Sequence, residues 1–294
     1  MSWADKFIAV DWGTTNRRAY LVEDGAPSGR EFEDGRGILS VERGQFEEAV
    51  RQVRDELGDA PMLLAGMIGS NRGWVDAPYV PCPAGLQELA GKLVQIPEEN
   101  AAIVPGVSFS NGRSDVMRGE EVQLLGAITA GDVPSDCVVC HPGTHNKWVR
   151  VRNRRIDSFR TVMTGELFNM VREGSILSEL TDGEASPGDA FLKGVRQGLT
   201  GAGITTELFE ARARFLLGRL DRRDGPSFVS GLLIGEDVRI GIADGRPADV
   251  IVMGRPELTE LYACALNEAG VEAVQIDGEG AFIAGACKIA ERIQ

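Results

Sequence analysis

The chain has 294 residues, of which 43% are apolar and 26% charged, and its formal net charge is −13. That excess of acid argues against a general nucleic-acid binder, which needs a basic face. The length suits one large domain or two of ordinary size. No apolar run reaches the roughly eighteen residues of a membrane-spanning helix, and the start, Met-Ser-Trp-Ala-Asp-Lys, lacks a signal-peptide pattern, so a cytoplasmic location is expected.

In chain order, residues 7–11 read as a strand, 17–23 as its hairpin partner and 29–33 as a weaker third. Residues 45–57 read as an amphipathic helix, with Phe46, Val50, Val53 and Leu57 on one stripe. Met62 to Met67 is an apolar strand of the kind found in parallel sheets. Residues 69–85, rich in Gly, Pro and aromatics, read as a long loop. Ile103-Val104 is a short strand, and a helix starts at Asp115 or at Gly119 and runs to Ala130, closed by Gly131.

The second half restarts with strands at 137–141, 147–152 and 155–160. Helices follow near 165–173, 188–197, 205–219 and 227–243. Val250 to Met253 is a strand, Pro256 to Ala269 a helix with Pro in its first turn, Glu272 to Ile276 a strand, and Gly280 to Ile293 a closing helix. The basic run from Arg212 to Arg223 reads as a solvated helix face. Strands early in each half, followed by helices alternating with strands, indicate two α/β domains.

The chemistry concentrates in two short turns. Asp11-Trp12-Gly13-Thr14-Thr15-Asn16 follows the apolar run Phe7 to Val10, and Pro142-Gly143-Thr144-His145-Asn146-Lys147 follows Cys137 to Cys140. Each is a strand, a Gly-Thr turn and a second strand. Gly admits a phosphate close to the backbone. Thr and Asn side chains and turn amides donate to phosphate oxygens. Asp11 ends its strand where a carboxylate can hold Mg²⁺ through water beside a nucleotide. Lys147 is a further phosphate candidate. Gly254-Arg255, between a strand and a helix, would put a helix N-terminus near an adenosine. Gly126-Ala127 and the Gly280 to Ala286 segment are small enough for close helix crossing.

Other chemistries fit poorly. Cys137-x-x-Cys140 with His141 and His145 lacks the second ligand pair of a metal site and lies in a strand. Five Cys in a chain of this kind read as reduced thiols. The two His are accompanied by no Gly-x-Ser-x-Gly elbow.

In this order the elements resemble the acetate and sugar kinase, heat-shock ATPase and actin superfamily. The resemblance narrows in Ala65-Gly66-Met67-Ile68-Gly69-Ser70, Gly73-Trp74, Ala77-Pro78-Tyr79, Val116-Met117-Arg118-Gly119-Glu120-Glu121, Pro142 to Trp148 and Thr161 to Leu167. These segments are similar to the 2-dehydro-3-deoxygalactonokinase family, from about Ile8 to Ala290. The resemblance implies an actin-like ATPase fold of two ribonuclease-H-like domains with a nucleotide cleft between them. It implies the division 1–118, a connecting helix at 119–131, 132–279, and a second connecting helix at 280–294. It also implies phosphorylation of the 6-hydroxyl of 2-dehydro-3-deoxy-D-galactonate by ATP with Mg²⁺.

Phosphoryl transfer needs a carboxylate to take the hydroxyl proton. The superfamily places it at the start of the first connecting helix, where Asp115, Glu120 and Glu121 compete; Glu120 is preferred for its place in the Arg-Gly-Glu-Glu segment. A sugar-acid acceptor calls for Arg or amide donors. Arg118 comes first and Arg72 second, with Arg17 and Arg18 behind them. Ser70, Asn71, Trp74 and Tyr79 are the other candidate acceptor contacts. The small-molecule partners expected are ATP and a sugar acid, with no nucleic acid and no membrane, and a homodimer is left open. A sugar-sensing repressor on this fold would need a DNA-binding segment ahead of Phe7, for which no room is expected.

Overall fold

The computed structural model describes residues 3, 5–245 and 247–293. By its contacts the chain divides into two compact units. Unit 1 takes Met1–Asp136, Val151–Phe159 and Gly278–Gln294, and unit 2 takes Cys137–Arg150 and Arg160–Asp277.

The elements of unit 1 begin with strands β1 (Lys6–Trp12), β2 (Arg17–Glu23) and β3 (Ala26–Asp34), then helix α1 (Phe46–Leu57) and strand β4 (Met62–Gly66). Next come β5 (Tyr79–Pro81), α2 (Leu86–Ala90), β6 (Val94–Ile96), β7 (Ala101–Ile103), β8 (Gly106–Ser110), β9 (Ser114–Met117) and α3 (Glu120–Ala130). A six-stranded sheet has the order β3-β2-β1-β4-β7-β6. β1 runs antiparallel to β2 and parallel to β4, so Asp11 and Trp12 lie opposite Ala65 and Gly66 at the carboxyl ends of two parallel strands. The apolar stripe of α1 covers one sheet face. Phe46, Val50, Val53 and Leu57 are buried there with Ile8, Val10, Trp12 and Leu64, as the helical period requires.

Two expectations need correcting here. The 69–85 segment is not all loop: Tyr79–Pro81 is β5, parallel to β8 in a separate three-stranded sheet with β9. The helix does not begin at Asp115, which lies in β9 opposite Phe109. Gly119 ends the strand path with φ of 110°, a left-handed conformation that breaks any helix begun earlier, and α3 starts after it.

The elements that follow are β10 (Cys137–His141), β11 (Asn146–Arg152), β12 (Arg155–Val162), α4 (Thr164–Gly174), α5 (Asp189–Thr200), α6 (Ile204–Leu216), α7 (Gly225–Gly241), β13 (Asp249–Gly254), α8 (Pro256–Glu268), β14 (Glu272–Asp277) and α9 (Gly278–Ala290). A five-stranded sheet has the order β12-β11-β10-β13-β14. β13 is parallel to both β10 and β14.

Small residues set two helix crossings. Within unit 1, a Cβ on Gly126 of α3 would stand 1.9 Å from the Ala281 carbonyl oxygen of α9, and one on Gly285 would stand 2.1 Å from that of Val122. Within unit 2, Gly194 and Gly198 of α5 meet Gly231 and Gly235 of α7 in the same way, with Cβ positions 2.1 to 2.4 Å from facing carbonyl oxygens. The second crossing was legible as two Gly-x-x-x-Gly spacings that the sequence reading passed over. Among the described residues no helix is long and apolar enough to cross a membrane.

Candidate active site

In unit 1 the first turn is a tight hairpin. The Gly13 N–H donates to the Asn16 carbonyl at 2.9 Å. The carbonyls of Gly13 and Thr14 accept from the N–H groups of Ile38 and Leu39 at 3.1 and 3.2 Å, so the 37–39 segment braces the turn from behind. Gly37 permits that approach, since a Cβ there would stand 2.2 Å from the Thr14 carbonyl oxygen. The side chains of Thr14 and Thr15 are exposed.

Asp11 stands beside this turn with Gly66 against it. A Cβ on Gly66 would lie 3.4 Å from the Asp11 carboxylate and 2.7 Å from the Trp12 carbonyl oxygen. One on Gly119 would lie 3.2 Å from the Gly66 Cα. Two glycines thus bring the head of α3 onto the end of β4, next to Asp11. A single carboxylate fits Mg²⁺, which commonly keeps its waters and takes one or two carboxylates plus substrate phosphates. Among the described residues no cluster of three or more His, Cys, Asp or Glu is arranged to hold a metal.

The head of α3 folds back on itself. Glu120 accepts from the Arg118 N–H at 3.0 Å. Both Glu121 oxygens accept from the Gly119 N–H, at 2.9 and 2.7 Å. Glu121 is fully buried. Burial pushes its carboxyl up to about 8, helped by the charge of Glu120 and opposed by the Gly119 N–H. Glu120 is only half-buried. Asp115 sits in β9 with Arg113 Nη1 at 3.4 Å and the Val116 N–H at 2.9 Å.

Arg118 is the most unusual side chain of this unit. It is 8% exposed. Its Nη2 donates to the Ala77 carbonyl at 2.7 Å, and its guanidinium lies 4.4 Å from the centre of the Tyr79 ring. Nε and Nη1 make no hydrogen bond among the described residues. Gly69 leaves room for Nη1, since a Cβ there would stand 2.9 Å from it.

The other candidate acceptor contacts differ in setting. Arg72 and Asn71 are exposed on the turn after Gly69. Ser70 is buried, and its hydroxyl donates to the Met67 carbonyl at 2.7 Å. Trp74 packs against the sheet core. Arg17 and Arg18 are engaged elsewhere. Buried Arg17 pairs with Asp34 at 2.6 Å and donates to the Ala49 carbonyl at 2.6 Å, and Arg18 Nε donates to Glu33 at 2.8 Å.

In unit 2 the second turn lies at the carboxyl end of β10. The Gly143 N–H donates to Asn146 Oδ1 at 2.7 Å, and the Thr144 carbonyl accepts from the Glu166 N–H at 3.0 Å. His145 is exposed and contacts Glu166 through Nε2. Lys147 is buried rather than solvated. Gly254 ends the neighbouring parallel strand, and a Cβ on it would be 3.5 Å from the Pro142 carbonyl oxygen. The exposed Arg255 follows at the start of α8. The second turn and the 254–255 turn therefore sit together at the carboxyl ends of parallel strands, where ligands of α/β sheets bind.

Beneath the second turn lies a network the sequence reading missed. Asp237 of α7 is fully buried and accepts from Asn146, Trp148, Thr164 and Tyr262. Burial pushes its carboxyl up, and the same four hydrogen bonds oppose that shift.

A strand-end carboxylate beside one Gly-Thr turn, and a second Gly-Thr turn at the end of the parallel pair β10 and β13 in a separate sheet, belong to the actin-like ATPase fold. The fold is shared with the activator of the 2-hydroxyisocaproyl-CoA dehydratase from Clostridium difficile with bound ADPNP, at a TM-score of 0.52 and 9% identity over 97% of this chain and 94% of that one. A family model described as 2-keto-3-deoxy-galactonokinase matches residues 11–289, and the chain belongs to that family. It is 37% identical to the 2-dehydro-3-deoxygalactonokinase of Escherichia coli (strain K12), over 98% of each chain. A crystal structure from Sinorhizobium meliloti, provisionally described as a 2-dehydro-3-deoxygalactonokinase, superposes with a TM-score of 0.87 at 34% identity, over 97% of this chain and 98% of that one.

Proposed function

We propose that this chain transfers the terminal phosphoryl group of ATP to the 6-hydroxyl of 2-dehydro-3-deoxy-D-galactonate, in the breakdown of galactonate. Kinship over the full length supports the reaction class. The observation that carries the acceptor class is Arg118. A protein with a net charge of −13 repels a sugar acid unless a dedicated cation receives it. Arg118 is a buried guanidinium with two nitrogens that no described residue accepts from, next to the Gly119–Gly66 contact beside Asp11.

In this reading Arg118 binds the acceptor carboxylate, with Tyr79 holding its plane, and Arg72, Ser70, Asn71 and Trp74 line the sugar's approach. Thr14, Thr15, Asn16 and the amides of the first turn receive phosphate oxygens. Gly143, Thr144, His145 and Lys147 receive them from the second turn, and Gly254 and Arg255 flank the adenosine. Asp11 holds Mg²⁺, which neutralises charge on the phosphates. Glu120 takes the hydroxyl proton; it lies at the head of α3 and is accessible, whereas Glu121 is sealed in.

A coupled ADP-release assay across keto-deoxy sugar acids and their neutral ketose counterparts tests the reading, with the product's phosphate position read by ³¹P and ¹³C NMR. Highest kcat/KM on 2-dehydro-3-deoxy-D-galactonate and a 6-phosphate product are expected. Equal rates on neutral ketoses would overturn the acceptor class, and preference for another keto-deoxy acid would reassign the substrate within it.

A further inference from the structure

Asp237 lies 91 residues after Asn146, in a helix buried on almost every side. Its Oδ2 accepts from Asn146 Nδ2, from Thr164 Oγ1 at 2.7 Å and from Tyr262 Oη at 2.5 Å. Its Oδ1 accepts from Trp148 Nε1 at 2.7 Å. Two of these donors lead directly to the second turn. Asn146 turns its amide oxygen to the Gly143 N–H at 2.7 Å. Thr164 opens α4, whose next residue, Gly165, packs on the Gly143 carbonyl, with a Cβ there only 2.5 Å from that oxygen. The residue after that, Glu166, donates its N–H to the Thr144 carbonyl.

The chemistry of the amide gives the arrangement a direction. Asn146 has one accepting and one donating end. Two acceptors beneath it, Asp237 Oδ2 and Tyr262 Oη, take the NH₂ end and leave the oxygen up toward Gly143. Without the Asp237 carboxylate the amide loses its charged acceptor, and the flipped form, which sets NH₂ against the Gly143 N–H, donor against donor, gains population. The hydroxyl of Thr164 is held from the same oxygen, so one carboxylate fixes both the strand and the helix that grip residues 143–145.

We propose that Asp237 is the positioning residue of the second phosphate turn, holding Gly143–His145 in the shape that receives the phosphates of ATP by acting through Asn146 and Thr164. The inference rests on the assignment of this turn to ATP. Asp237 touches neither ATP nor the acceptor in this scheme.

The test uses the full-length protein, with ATP and ADP affinities by calorimetry and KM values for ATP and for the sugar acid. Asp237→Asn and Asn146→Ala should each weaken nucleotide binding about tenfold, the worth of one well-placed hydrogen bond. The KM for the sugar acid should stay unchanged in both. The double variant should also lose about tenfold, because both substitutions remove the same aligned amide. A roughly hundredfold, additive loss would overturn the proposal, as would wild-type nucleotide affinity in Asp237→Asn. So would parallel rises in both KM values, the mark of general loosening. If Asn146→Ala leaves nucleotide affinity untouched, the turn does not hold ATP and the proposal falls with that assignment. Should Asp237→Asn not fold, Thr164→Val examines the other arm: weaker nucleotide binding with an unchanged sugar-acid KM supports the proposal, and unchanged nucleotide binding overturns it.

Discussion

Replacing Arg118 by Met removes a cation and keeps much of the stem. In the unliganded protein the gain matches or exceeds the loss. The lost hydrogen bond to Ala77, 2.7 Å long, is worth about 1 kcal/mol, and the stacking on Tyr79 about 0.5–1 kcal/mol. Against this, two buried nitrogens that no described residue accepts from disappear, and each such group costs about 1–3 kcal/mol. Stability in urea unfolding should therefore be unchanged or higher, by up to about 4 kcal/mol. In the complex the loss dominates. A charge-assisted pair with the acceptor carboxylate contributes about 1.5–3 kcal/mol, or roughly tenfold to a hundredfold in affinity. Coupled ADP release at saturating ATP should show the sugar-acid KM raised by that factor and the ATP KM unchanged. The preference for the acid over its neutral ketose should shrink in proportion. An unchanged preference in a stably folded Arg118→Met protein would refute the reasoning and move the carboxylate to the exposed Arg72.

Four further outcomes are expected. Asp11→Asn should abolish most turnover and weaken Mg²⁺ dependence while leaving the melting curve intact; wild-type turnover at ordinary Mg²⁺ would remove Asp11 from the site. Glu120→Gln should lower kcat by roughly a hundredfold or more with ATP affinity preserved, and an active Glu120→Gln beside an inactive Asp115→Asn would transfer the base to Asp115. Glu121 has its carboxyl raised in the folded state to about 8, so ionising it opposes folding. Wild-type stability should fall relative to Glu121→Gln as pH rises from the ordinary carboxylate range to about 8, and the gap should be constant above that. A pH-independent gap in chemical denaturation would contradict the buried, protonated carboxyl. Gly126→Ala sets a methyl 1.9 Å from the Ala281 carbonyl oxygen, and should cost about 1–3 kcal/mol in urea unfolding as α3 and α9 separate.

The local features of this protein are determined by local sequence. Alternation, helical period and the punctuation of Gly and Pro locate β2 at Arg17–Glu23, β10 at Cys137–His141 and α1 to within a residue, because each reflects a burial pattern written in consecutive side chains. Both Gly-Thr turns are legible for the same reason, and so is the resemblance that led to the family. Tertiary structure decided what depends on distant partners. β5, β8 and β9 are strands of three to five residues whose pairing, not their pattern, makes them strands. Asp115 could be read as a helix start until its pairing with Phe109 placed it in a sheet. Arg17 and Arg118 look alike in sequence, and only the fold joins one to Asp34 and leaves the other with nitrogens that no described residue accepts from. Asp237 carries no motif at all. A polar residue in an apolar helix becomes meaningful only when Asn146 and Trp148 of β11, Thr164 of α4 and Tyr262 of α8 converge on it from three other places in the chain. A buried charge needs several donors at once, and no single stretch of sequence can supply them.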